Sequence, residues 1–208
     1  MTNRLVLSTL LGGIVLFVWS AIAWLVIPWP GDPLRSFTNE DAVLQSVTAN
    51  APRSGNYLLP NEPKRAAGMT DEQYKAASQA AMDRMTRGPM VFTVVRLEPM
   101  GSMAKLMVIQ FLTQLVLALI ASLLLMQTTR RSYGRRVAFV AVCGLMIFVG
   151  GKMDEWIWWS FSNSYLLMEF GAIVIGWILA ALVIAKFVTG KLSAAKAQEN
   201  TSKRVVLI

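Results

Sequence analysis

Residues 5–27 read LVLSTLLGGIVLFVWSAIAWLVI, a run without a single charge. A helix of that length reaches about 35 Å at 1.5 Å per residue, enough to cross the roughly 30 Å hydrocarbon core of a bilayer. Arg4 and the small residues around Ala21 and Ala23 have the look of a cleaved leader. The apolar run, however, is longer than the roughly 7–15 residues of a signal-peptide core. The segment therefore reads as a retained membrane helix, stopped by Pro28 and Pro30, with Trp24 and Trp29 at the interface.

Three further blocks of this kind follow, at 106–126, 137–151 and 165–188. They explain the composition: 55% of the 208 residues are hydrophobic and 15% are charged, against about 45–50% and 25% in soluble domains. A soluble enzyme, a disordered chain and a disulfide scaffold are thereby excluded. The fold class predicted is mainly α, a four-helix transmembrane bundle with a small extracytoplasmic α+β cap between the first and second membrane helices. The expected divisions are helix 1 over 5–28, the cap over 29–104, helix 2 over 105–127, helix 3 over 137–157, helix 4 over 165–188 and a basic tail over 189–208.

The basic residues orient the chain. The connection between helices 2 and 3 holds Arg130, Arg131, Arg135 and Arg136 and no acid, and the segment from Lys186 onward holds Lys191, Lys196, Lys203 and Arg204 against Glu199. The positive-inside rule puts both in the cytoplasm, and with them both termini. The long 29–105 segment, with nine basic and eight acidic residues, then faces outward. The net charge of +8 is thus a topology signal. The four arginines are also candidate contacts for anionic lipid headgroups.

Within the outer segment, Thr38 followed by Asp41 resembles a capping box for a short helix ending near Asn50 to Pro52. Tyr57 to Leu59 is a short extended stretch closed by Pro60. Thr70 is an N-cap with Asp71 and Glu72 in the first turn of a helix reaching about Met85. Val91 to Val95 is the best strand in the chain.

The absence of histidine excludes His-based metal, haem and acid–base chemistry from this chain's own side chains. The lone Cys143 lies in an apolar block and reads as a small buried hydrophobe. No nucleophile elbow or phosphate-binding glycine loop occurs, so no catalytic, cofactor-binding or metal residue is expected, and no cofactor. Nucleic acid is not an expected partner, since no recognition motif accompanies the basic residues.

The informative stretch is GGKMDEWIWWS at 150–160. Helix 3 either stops near Gly151 or continues through the tryptophans with Lys152, Asp154 and Glu155 partly submerged. Glu169 lies about one turn into helix 4 from the same side. The plainest reading is an interfacial anchor with Glu169 extending outward; an ion pair with Lys152 comes next, and a proton or ion path last. Gln110, Thr113 and Gln114 share a face of helix 2. Gln110 and Gln114 join Lys152, Asp154, Glu155 and Glu169 as a candidate intramembrane polar cluster. Ser8 with Gly12, Ala118 with Ala121 and Ser122, and the series Ala172, Gly176, Ala180 read as close-packing seams.

Five local patterns, WSAI at 19–22 with IPW at 27–29, FTNEDAV at 37–43, PRSGNYLLP at 52–60 and GPMVF at 88–92, resemble a group of small multi-pass bacterial inner-membrane proteins for which no activity is established. The resemblance implies the bacterial inner membrane and carries over no catalytic residue. The expected function is non-enzymatic: an accessory or scaffold component binding membrane lipids and other membrane-protein subunits, with Tyr57, Leu58, Pro60, Pro89 and Phe92 as the cap's interaction surface. The alternative is a small transport or lipid- and ion-handling protein using Glu169 and Lys152.

Overall fold

The computed structural model describes residues 2–128 and 131–189. The element order is α1 (Thr2–Leu25), α2 (Glu40–Asn50), β1 (Gly55–Leu59), α3 (Asp71–Arg87), β2 (Val91–Val95), α4 (Met103–Gln127), α5 (Tyr133–Trp159), α6 (Asn163–Phe170), a π-helical turn (Gly171–Ile175) and α7 (Gly176–Phe187). Four helical stretches are long and apolar enough to cross a membrane: α1, α4, α5 and the continuous run from α6 to α7. They support a multi-pass membrane protein. The chain divides into two compact units, residues 36–101 and the remainder.

The helical unit is built on small residues. In α1, Gly12 presents its bare Cα to Ile184 of α7 and Gly13 its own to Leu115 of α4. Both neighbours thus approach to backbone distance. Ser8 and Ser122 meet between α1 and α4 with their hydroxyls 3.0 Å apart, fully buried. Ser8 also donates to the Leu5 carbonyl at 2.9 Å, so neither hydroxyl is left unpaired in an apolar setting. Leu16, Ala118, Leu125, Val140, Trp177, Ala180 and Ile184 complete the core. The seams expected from sequence therefore lie inside the bundle. The α6–α7 helix is central, packing on both α1 and α5, whereas α4 and α5 meet only sparsely.

Tryptophans fill what the glycines open. Trp29 sits on Gly171, Trp19 on Gly176 and Trp177 on Gly144, in each case where a Cβ would collide with the indole. The π turn at 171–175 shifts the backbone hydrogen-bond pattern, and the Trp19 indole donates to the Gly171 carbonyl at 3.2 Å. Trp29 donates to the Ala23 carbonyl at 2.6 Å, capping the end of α1. Trp29, expected as part of an interfacial belt, is thus a packing and capping residue as well.

Two boundaries differ from expectation. The third span starts at Tyr133 and runs to Trp159 without a break at Gly151. The N-cap of α2 is Asn39, whose side chain accepts from the Ala42 amide at 3.0 Å, and Thr38 has no such role. Both residue types cap well; the helix simply starts one position later.

In the 36–101 unit, β1 and β2 pair antiparallel in the register Gly55↔Val95 through Leu59↔Val91. The peptide bonds before Pro60 and Pro89 are cis. A capping box starts α3: Gln73 donates its amide to the Thr70 hydroxyl at 3.3 Å and its side chain accepts from the Thr70 amide at 3.0 Å. Gly88, at φ +70°, ends it in a backbone conformation that favours glycine. Local polar contacts add to these: Tyr57 donates to the Arg53 carbonyl at 2.6 Å, and Arg65 pairs with Asp71 at 2.5 Å.

Ser54 ties the sheet to the segment after β2. Its hydroxyl donates to the Glu98 carboxylate and accepts from the Leu97 amide at 2.8 Å. The Ser54 hydrogen bond, helped by Glu98's own backbone amide and by Arg96, holds the Glu98 carboxyl below its ordinary value. A carboxyl whose pKa is lowered by folding stabilises the fold above its unfolded pKa, and the contribution disappears as pH falls through the folded value. Hydrogen exchange of the Leu97 amide is therefore expected to be protected at neutral pH. Protection is expected to be lost below the usual carboxylate range and at every pH in Ser54→Ala. Equal exchange in the variant at neutral pH would refute this tie.

Candidate functional site

The charged cluster at the α5–α6 hairpin stands out because it lies within the apolar spans. Three residues join the two helices. Ser160 takes a left-handed conformation at φ 57° and its amide donates back to the Glu155 carbonyl, while Ser162 caps α6 by accepting from the Tyr165 amide at 3.1 Å. Trp156 donates across the hairpin to Asn163 at 2.8 Å. With so tight a turn, residues equally far from it stand at the same height. Lys152 is about 10 Å back along α5 and Glu169 about 9 Å forward along α6.

They meet. The Lys152 ammonium donates to both carboxylate oxygens of Glu155, at 3.1 and 3.2 Å, and lies 3.7 Å from Glu169. The Glu169 side chain is only 7% exposed, against 24% for Lys152 and 32% for Glu155. The expectation that Glu169 extends outward is thus corrected: it is buried and paired. The reason is steric and electrostatic together. Its position on α6 faces α5 and lies at the depth of the Lys152 ammonium, and a carboxylate left unpaired in an apolar site is costly.

Aromatic rings surround the pair. Phe148 and Phe170 meet edge to face at 5.2 Å on the side away from the hairpin, and Tyr165 packs on Phe161 at 5.0 Å and Trp24 at 6.4 Å on the near side. Tyr165 also interacts with Glu169. The arrangement is one ammonium group placed between two carboxyl groups, with aromatic pairs on either side of it along the helices.

The other members of the expected cluster do not join it. Asp154 is exposed on α5, Gln110 is exposed on α4 and Gln114 is half-buried there, and none of the three hydrogen-bonds to Lys152, Glu155 or Glu169 among the described residues. Among the same residues, no group of three or more His, Cys, Asp or Glu side chains is placed to hold a metal ion. Cys143 is half-buried and donates to the Phe139 carbonyl at 3.5 Å.

Of the candidate headgroup contacts, Arg131 and Arg135 are exposed and Arg136 is half-buried with its guanidinium 5.9 Å above the Tyr133 ring. Tyr133 in turn donates to the Leu182 carbonyl of α7 at 2.8 Å. Arg130 and the basic tail from residue 190 lie outside the described residues.

The second candidate site is the 36–101 unit. Its two helices flank the two faces of the ribbon without closing on it. A groove of about 420 Å³ separates α2 from the face bearing Tyr57, Leu59, Val91, Thr93 and Val95. Another of about 740 Å³ lies between Leu58 and the α3 residues Tyr74, Ser78, Met82 and Met85. Tyr57 and Leu58, expected on the interaction surface, line these grooves. Pro60 and Phe92 are half-buried and Pro89 is exposed. Ala51 and Val95 are the only buried hydrophobic residues described in the unit, while Leu59 is 66% and Val94 70% exposed. Sequence reasoning located the segment but missed this openness, because exposure depends on how closely α2 and α3 approach the ribbon.

No protein-family model matches the chain, nor does any curated protein or any solved structure.

Proposed function

We propose that this is a non-enzymatic, multi-pass protein of the bacterial inner membrane that acts as an accessory or scaffold component, with both termini cytoplasmic and the 36–101 unit as an outward-facing docking domain. The observation that carries the reading is the scarcity of buried apolar residues in that unit. Small domains are marginal even with a full core, and a two-stranded ribbon alone is barely stable in water. A unit with two open apolar grooves and exposed Leu59 and Val94 gains stability when another surface covers them. The arginines at 131, 135 and 136 support the orientation through the positive-inside rule.

The test is site-specific photo-crosslinking in native membranes. A photoreactive residue at Tyr57 or Val94 is expected to capture one defined protein partner, and Leu58→Asp is expected to reduce that capture at least tenfold. Capture of lipid alone, or labelling as strong from a probe at exposed Glu72, which lines neither groove, would count against the docking domain.

A second reading, a transport or ion-handling role, is favoured by one observation, the buried Glu169 sharing Lys152 with Glu155. Intramembrane carboxylates of this kind recur on ion and proton paths. Its discriminating result is Glu169→Gln abolishing an ion flux in proteoliposomes while the fold persists.

A further inference from the structure

Besides the buried Ser122 and the terminal Lys105 and Gln127, the helix α4 carries Gln110, Thr113 and Gln114 within its apolar span. Thr113 is satisfied within the helix, donating to the Ile109 carbonyl at 2.9 Å. The two carboxamides are different: among the described residues neither makes a hydrogen bond, and Gln110 is exposed. Their depth makes this consequential. The 25 residues of α4 reach about 37 Å, so about 4 Å projects at each end of a roughly 30 Å hydrocarbon core. Gln110 then lies about 7 Å inside the apolar region and Gln114 about 13 Å inside, near its middle. Lipid tails offer neither a donor nor an acceptor.

We infer that α4 is a self-association surface, on which Gln110 and Gln114 hydrogen-bond to the same residues of a second copy. Two properties select a second copy as the occupant. Copies of one chain share an orientation in the membrane, so a two-fold axis along the membrane normal brings identical residues together at identical depth. A carboxamide carries both donors and an acceptor, so it pairs with itself, which neither a lysine nor a carboxylate can do. The stripe extends outward through Leu106 and Met103, which are exposed at helical spacing on the same side. Phe111, Leu115, Ala118 and Ser122, by contrast, are committed to α1. Uncharged polar pairs of this kind join membrane helices across lipid-facing surfaces.

The inference does not rest on the docking role of the 36–101 unit. Self-association through α4 without a captured partner, or the reverse, separates the two.

The test uses the full chain in lipid bilayers, with the native thiol removed by Cys143→Ala. Leu106→Cys in that background is expected to form a symmetric disulfide-linked dimer on mild oxidation, and Met146→Cys, exposed on α5, is expected not to. Adding Gln110→Leu and Gln114→Leu is expected to abolish the crosslink and to weaken dimerisation, read by energy transfer between labelled chains, about tenfold. Gln110→Asn with Gln114→Asn, which keeps the carboxamides, is expected to retain association and so exclude loss of folding as the cause. A monomeric wild-type chain, a crosslink unaffected by the two leucines, or crosslinking through Met146→Cys in place of Leu106→Cys would overturn the proposal.

Discussion

Lys152→Met is expected to lower the stability of the helical unit by about 2–3 kcal/mol. Removing one partner of a buried ion pair costs about 3–5 kcal/mol because the other charge stays buried, and the partial exposure of Lys152, 24%, reduces that figure. Here the loss is aggravated, since the substitution strands Glu155 and Glu169 together with no cation between them. The double variant Lys152→Met with Glu169→Gln is expected to recover most of the loss, because neither buried charge remains. Thermal unfolding in detergent or nanodiscs measures both. If the single variant unfolds at the wild-type temperature, Glu169 is solvated and the buried pair is not real.

Gly144→Ala is the second large effect. A methyl group there meets the Cβ and Cγ of Trp177, atoms fixed to the backbone of α7, which cannot swing aside as the end of a flexible side chain would. Overpacking at such a site costs about 1–3 kcal/mol, with larger values where the backbone must move, and α5 is expected to separate from α7. Gly150 and Gly151 lie on the same helix with open space where a Cβ would go. Their replacement by alanine is expected to be neutral or to stabilise by up to about 1 kcal/mol through helix propensity. A series in which all three substitutions behave alike would show that Gly144 is not a close-packing contact.

These two sites differ in how legible they were. Four helices long and apolar enough to cross a membrane could be read because a helix at a soluble domain's surface keeps one polar face, which an uninterrupted apolar run of about 20 residues lacks. The extent of α5 was legible only in part: a span to 157 was expected and the helix reaches Trp159, but Lys152, Asp154 and Glu155 end the apolar run and left a stop near Gly151 open. What lets it continue is the pairing of Lys152 with Glu155 one turn away and with Glu169 across the hairpin. Equal depth of Lys152 and Glu169 followed from counting residues on either side of the turn, but the burial of Glu169 did not, since it depends on which way α6 is rotated. Gly12 and Gly176 were visible as small residues at helical spacing, whereas Gly144 and Gly171 belonged to no such series. The tryptophan partners were not visible, because Gly171 and Trp29, or Gly176 and Trp19, are more than a hundred residues apart and no local pattern joins them. In the 36–101 unit, Thr70 and the strand at Val91 to Val95 were recognisable from capping and β-branched composition. The openness of the grooves was not.

The π turn at Gly171–Ile175 has a consequence for phase. An α-helix advances about 100° per residue, so eight positions overshoot two full turns by about 80°. Yet Glu169 and Trp177, eight positions apart, both meet α5, one at Lys152 and the other at Gly144. The one residue that an i→i+5 turn absorbs cancels most of that overshoot. The charged segment around Glu169 and the apolar segment around Trp177 are thereby two sequence frames offset by a single letter. Deleting one residue of 171–175 removes that extra position: a regular helix then sets Glu169 and Trp177 seven positions, about 700°, apart, within about 20° of two full turns, so both still face α5.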